Sequence, residues 1–332
     1  MKKGIAILLM TALAVQGCKV DEEFEGPSLT DLYGSFAILE DFDITDRSVN
    51  FSENETTTFT ATFNKNVSWK LEIKGLSSGA VKEITGFSSQ LDATNALWNG
   101  STTILPMFRP EECAVELTFA NEADTLRDTL NVTGGRVHTG FLLSDFEAGF
   151  PTSWNTFVQS GANMSFIVQT NNNAAQGSRY YDMGGTVGWD WLKGLVNIPA
   201  TAYGGTHFDL SSNPEGLFFN VMIYKPEEIN NALVLFQFKE DDNLDGTYNT
   251  ANEDLFAVEV SPSVNGWSLI SVNYADMVTL VNGQPAAPIG NGIREPNKLK
   301  EISVLFLANP TSGYSQSYMD YLIFTENGPL IP

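Results

Sequence analysis

The chain has 332 residues, of which 40 are acidic and 18 basic, with only two cysteines and two histidines. A net charge of −22 excludes a nucleic-acid binder, whose partner demands a basic surface, and two cysteines exclude a disulfide scaffold or a cysteine-rich zinc site. With 42% apolar residues the chain has material for about two cores of usual domain size, which excludes intrinsic disorder.

Lys2 and Lys3 precede an apolar run from Ile5 to Val15. The run is shorter than the roughly 20 residues of a spanning helix and has the size of a secretory-signal core. It ends in Val15-Gln16-Gly17-Cys18, which resembles a bacterial lipobox, with Gln16 a departure from the commonest pattern. The resemblance implies that residues 1–18 are a lipoprotein signal peptide and that Cys18 carries lipid, anchoring the protein to a membrane without spanning it. Residues 19–27, with Asp21, Glu22, Glu23 and Glu25, form an acidic tether. It resembles the export signal of lipoproteins displayed on the outer face of Gram-negative outer membranes; a solvated periplasmic linker is the alternative. Cys113, the other cysteine, is read as a small core residue.

Residues 28–137 show short strands separated by polar turns. Thr57–Phe63 alternates, and Val67, Trp69, Leu71 and Ile73 fall on one face of the next run. Val115–Phe119 and Thr125–Val132 continue the period of two expected of half-buried antiparallel strands. The length and pattern predict an immunoglobulin-like sandwich with Trp69 inside. Gly134 and Gly135 break the pattern, and His138 is expected as an exposed loop residue in the linker.

Residues 141–332 are again β-rich. Strands are expected at 141–147, 164–169, 178–183, 217–224, 232–239, 254–260, 267–273, 299–307 and 319–325, with a short helical piece at 274–280. About nine strands without a repeat predict a jelly-roll sandwich. The fold class is thus all-β throughout. Ser144-Asp145-Phe146-Glu147 at its start and Tyr318-Met319-Asp320-Tyr321-Leu322-Ile323-Phe324 at its end resemble the paired terminal strands of galactose-binding-like carbohydrate-binding modules. That resemblance implies a structural calcium held by Glu147 and Asp320, a hard ion that needs six to eight oxygens. The whole layout resembles surface glycan-binding lipoproteins of starch-utilisation-type uptake systems. This implies a non-catalytic protein that captures polysaccharide or oligosaccharide at the cell exterior beside an outer-membrane glycan transporter.

Asp241-Asp242-Asn243-Leu244-Asp245-Gly246 reads D-x-N-x-D-G, the first half of a calcium loop, with Asp241, Asn243 and Asp245 as ligands. The twelfth position is Asn252 where a full loop has Glu, so the reading stays open between a calcium-binding β-loop and an acidic hairpin turn without metal. For a sugar, aromatic planes beside hydrogen-bonding groups are sought. Trp189 and Trp191 stand two apart in a Gly-flanked segment, and Tyr203 follows in another. Strand alternation turns Phe219, Val221 and Ile223 inward and leaves Asn220 and Tyr224 outward; it likewise leaves Gln237 and Lys239 outward of Phe236 and Phe238. These four are expected to share a polar cleft. Trp267 is read as core and His207 as a structural residue without a recognisable partner. No H-E-x-x-H motif is present, so a hydrolase or lyase ranks below a binder. An adhesion or assembly protein with a protein partner is the principal alternative.

Overall fold

A computed structural model of the chain describes residues 34–188, 191–281 and 283–332. The expected signal peptide, lipidated Cys18, the tether and Trp189 lie outside the described residues. Every regular element described is a β-strand or a short 3-10 turn, so the fold is all-β.

The first domain comprises β1 (Ile38–Ile44), β2 (Ser48–Asn50), β3 (Thr57–Gly75), β4 (Val81–Leu91), β5 (Leu97–Trp98), β6 (Glu111–Phe119) and β7 (Thr125–Gly134). The runs at 57–63 and 67–73 form one 19-residue strand, β3, which alternates buried and open along most of its length. Its first half pairs with β1, β5 and the end of β4, and its second half with β4 and β6. One strand thereby serves both parts of the domain and places Phe59, Trp69, Leu71 and Ile73 in a single core with Phe51, Trp98 and Leu117. Trp69 is inside as expected, its indole N–H donating to Ser88 Oγ. Cys113 is fully buried, and burial pushes its thiol up to about 12, so it is inert packing.

The second domain comprises β8 (Phe141–Ser144), β9 (Asn155–Val158), β10 (Ile167–Thr170), β11 (Arg179–Val187), β12 (Leu192–Pro199), β13 (Leu217–Lys225), β14 (Ala232–Glu240), β15 (Leu255–Val260), β16 (Gly266–Asn273), β17 (Leu280–Val281), β18 (Gln284–Pro285), β19 (Leu299–Ala308) and β20 (Gly313–Glu326). One sheet runs β10-β11-β20-β13-β16, with β8 beside β20; the facing sheet runs β15-β14-β19-β12-β9. We call them the terminal sheet and the groove sheet. Phe219 at the centre of the terminal sheet meets Phe236, Phe238 and Phe324 at ring separations of 5.0–5.4 Å. Truncating such a side chain costs about 3–5 kcal/mol.

Three expectations are corrected. The helical piece is only a 3-10 turn at Tyr274–Asp276 followed by β17, because Asn273 caps one turn and Leu280 then pairs with Pro285. Trp267 is not in the sandwich interior: paired with Tyr224 across β16 and β13, it is partly buried against a second hydrophobic cluster on the outer face of that sheet. β9 and β12 were not anticipated; β12 begins in a register shift at Leu192–Gly194, which breaks the alternation that would announce it.

The two domains meet closely. Met107, Ala175, Met222, Tyr321, Ile323 and Leu330 form a buried cluster of their own, drawn from both domains and the C-terminal segment. The Thr102 N–H donates to Pro332 O at 2.9 Å and an Arg136 N–H to Ile331 O at 2.9 Å. His138 lies in this junction, edge-on to Tyr321 at 5.8 Å, rather than in an exposed loop. Burial, reinforced by the charge of Arg136, pushes it down to about 4.

Candidate functional site

The outward face of the groove sheet is built by strict alternation. Antiparallel register sets Asn155, Asn197, Ser303 and Gln237 side by side on β9, β12, β19 and β14. On one flank the matching row is Phe157, Leu195, Leu305, Leu235 and Glu259. On the other flank Glu301 lies between Pro199 and Lys239. A stripe of amide and hydroxyl groups therefore crosses the strands beside a stripe of apolar side chains. Five strands span ~19 Å from first to last.

The apolar side deepens into a cavity of about 510 Å³ lined by Trp191, Leu233, Leu235, Gln237, Leu305, Leu307 and Asn309, with Leu280 and Gly283 of the β17–β18 hairpin above it. Trp191 at its end is 49% exposed, a large ring left open to solvent. Lys239 donates to Glu301 at 2.6 Å, so the two charges on that flank cancel. Ser303 Oγ donates to Asn197 Oδ1, which orients that amide. Chemically the face offers apolar contact for C–H surfaces and donors and acceptors for hydroxyls, with little net charge.

The expected site residues divide. Trp191 and Gln237 line the cavity together, while Lys239 shares the face but lies on the opposite flank, beside Glu301. Asn220 is not available to a ligand: it is fully buried, its amide N–H groups going to Phe218 O, Ile323 O and Thr325 Oγ1, while Oδ1 accepts from Ser271 and the Leu330 N–H. Tyr224 points out of the opposite sheet, stacked on Tyr318 at 4.9 Å, because β13 and β14 belong to different sheets and their outward faces lie back to back. Tyr203 closes one end of the sandwich, packing on Phe141 and Phe208 and donating its hydroxyl to Leu143 O. Asn155, Asn197 and Ser303 were missed; the Asn197 position becomes legible only once β12 is known to be a strand.

The two acidic places behave differently. In the 241–246 loop both Asp241 oxygens accept N–H donors, from Asp245 and Gly246, and His207 Nε2 sits 3.0 Å from Asp241 Oδ2. His207 thus has the partner its sequence context did not reveal. Asn243 accepts from the Asp245 N–H and Asp245 from the Thr247 N–H, so the loop closes on its own donors. At the other place, Asp320 and Glu147 converge on the loop 173–179. Asp320 Oδ2 accepts the N–H groups of Ala175 and Gln176, and Glu147 Oε1 those of Ser178 and Arg179. Asp320 is fully buried, and burial together with Glu147 holds its carboxyl well above the usual range. Gln176 Oε1 is buried without a hydrogen-bond partner among the described residues. No three His, Cys, Asp or Glu side chains converge as a metal cluster among the described residues. Calcium, however, accepts amide and backbone oxygens, so two carboxylates with an orphaned amide oxygen fit its donor preference.

No family model matches the chain, and no curated protein does. Among solved structures, one described as the basis of promiscuous specificity in carbohydrate-binding modules of the β-sandwich superfamily is 12% identical, covering 88% of this chain and 98% of that one, with a TM-score of 0.40. The family 11 carbohydrate-binding module of Clostridium thermocellum, in complex with a β-1,3-1,4-mixed-linked tetrasaccharide, is 15% identical over 57% of this chain and 98% of its own, with a TM-score of 0.39. The module TmCBM61 with β-1,4-galactotriose is 13% identical over 57% and 99%, with a TM-score of 0.30. At such distance these likenesses fix neither ligand nor site.

Proposed function

We propose that the chain is a non-catalytic glycan-binding protein whose ligand lies in the groove across β9, β12, β19, β14 and β15. The observation that supports this is the pairing of an amide stripe with a leucine-lined cavity ended by an exposed tryptophan. Sugar rings present C–H faces and hydroxyl edges together, and both kinds of surface are met on one face here. Register gives this face a neutralised Lys239–Glu301 pair and a separate Glu259, which is not the arrangement of two cooperating carboxylates that glycosidic cleavage requires.

Calcium, in this reading, is held by Glu147, Asp320 and Gln176, where it supplies a charge that the two carboxylates share and gives the orphaned amide oxygen a partner. The lipobox-like Val15–Cys18 and the acidic tether support display at the outer-membrane surface, with the first domain as a spacer and captured glycan passed to an outer-membrane transporter. Affinity electrophoresis of the full chain against neutral and acidic polysaccharides, followed by calorimetry with the best of them, tests the reading. Retardation by at least one glycan, strongly reduced by Trp191→Ala, is the expected result. No retardation by any of them, with the fold intact by circular dichroism, removes it; new reducing ends in the mixture convert it to an enzyme.

A further inference from the structure

The loop 173–179 faces two ways. Toward the jelly roll its N–H groups are held by Asp320 and Glu147. Toward the first domain its carbonyls are the acceptors: Ala175 O takes the Met107 N–H at 2.7 Å, and Gly177 O takes an N–H of Arg109 at 2.8 Å. Ala175 itself is fully buried in the cluster that joins the domains, against Met107, Met222 and Tyr321. A third tie comes from Trp267, whose indole N–H donates to Asn173 O. The strand beneath has the matching irregularity. Tyr321 lies in the left-handed region at φ 47°, beside the register shift of β20 against β13, so that β20 turns both Asp320 and Tyr321 toward the junction.

We infer that calcium bound by Glu147, Gln176 and Asp320 locks the joint between the two domains and so sets the direction in which the groove faces. The inference rests on the calcium reading above and goes beyond it, since a purely structural ion would stabilise the jelly roll alone. Without the ion, the two carboxyl groups meet one loop with nothing to draw them together, and the Gln176 amide oxygen has no partner among the described residues. The loop is then held by hydrogen bonds alone, and such a segment opens before the sheets beneath it. With the ion, both carboxylates and the amide are drawn to one centre. The loop backbone is immobilised, and the carbonyls of Ala175 and Gly177 are presented to Met107 and Arg109 at fixed positions. By linkage, whatever strengthens the joint strengthens calcium binding by the same factor.

The test uses the full chain with spin labels on Asp124→Cys and Thr250→Cys, exposed positions in the first and second domains, Cys113 being buried. The distance distribution is measured with calcium and with excess chelator, and calcium binding is measured on the same protein by calorimetry. A single narrow distribution with calcium that broadens on chelation is expected. Arg109→Ala, which removes one tie without touching the ion's ligands, is expected to broaden the distribution even with calcium and to weaken calcium binding by about five-fold or more. Calcium that binds without changing the distribution overturns the joint and leaves the calcium reading standing. No calcium binding by the unsubstituted chain removes both.

Discussion

The two outward faces of the jelly roll come from the same alternation and have opposite fates. On the terminal sheet, Met222 and Ile323 are covered by the first domain and the C-terminal segment, and the remaining aromatic rings pack on one another. Tyr180, Tyr224, Trp267 and Tyr318 form that cluster, with ring separations of 4.8–6.5 Å between the rings in contact. On the groove sheet the aromatics are few and sit at the margins, as Trp191 and Phe157, while amides occupy the middle. In the proposed reading, rings alone therefore do not mark the ligand face. The informative feature is polar atoms left facing outward beside apolar ones.

The sharpest way to break this contrast is Asn220→Leu. It strips five hydrogen bonds from the covered face and should cost about 3 kcal/mol in urea unfolding while leaving glycan affinity unchanged. Weakened binding with unchanged stability would exchange the roles of the two faces. Next in size, Trp191→Ala should lose about 2 kcal/mol of binding, roughly thirty-fold in Kd by calorimetry, with the melting temperature unmoved.

The junction offers a test by pH. His138 is neutral in the fold down to about 4, whereas its ordinary value is 6.5. The unfolded chain takes the proton first, so stability from this ring is whole above about pH 6.5 and is lost as pH falls toward 4. Allowing for partial solvent contact, the loss is about 1.5 kcal/mol, and His138→Gln should flatten that window in urea titrations. Gln237→Ala should weaken glycan binding by about 1 kcal/mol with no change in stability, the reverse of Asn220→Leu. Least of all, Lys239→Met should shift affinity for a neutral glycan by about 0.5 kcal/mol or less, since its charge is already matched by Glu301.

Legibility in the sequence followed local pattern. The strands at 217–224, 232–239, 267–273 and 299–307 were readable to within a residue or so because apolar side chains recur every second position. β20 was caught only in its second half, because the first half carries Ser315 and Ser317 at its inward positions. β9 was not readable at all, since its four residues are all exposed and lack an inward face to announce it. Among site residues, outward pointing was read correctly for Gln237, Lys239, Asn220 and Tyr224, yet grouping them on one cleft failed. Alternation tells which residues of a strand share a face; it does not tell which sheet the strand joins.

What the sequence alone determined is therefore the all-β class, the inward faces of the long strands and the burial of Trp69 and Cys113, because these depend on spacing within one segment. Sheet membership, the joining of Glu147 and Asp320 by one loop, the partner of His207 and the place of Asn220 beneath the C-terminal segment were decided only by the tertiary structure. Each is a contact between residues separated by 34 to 173 positions, and nothing in a local pattern of side chains specifies which distant strand will supply the other half.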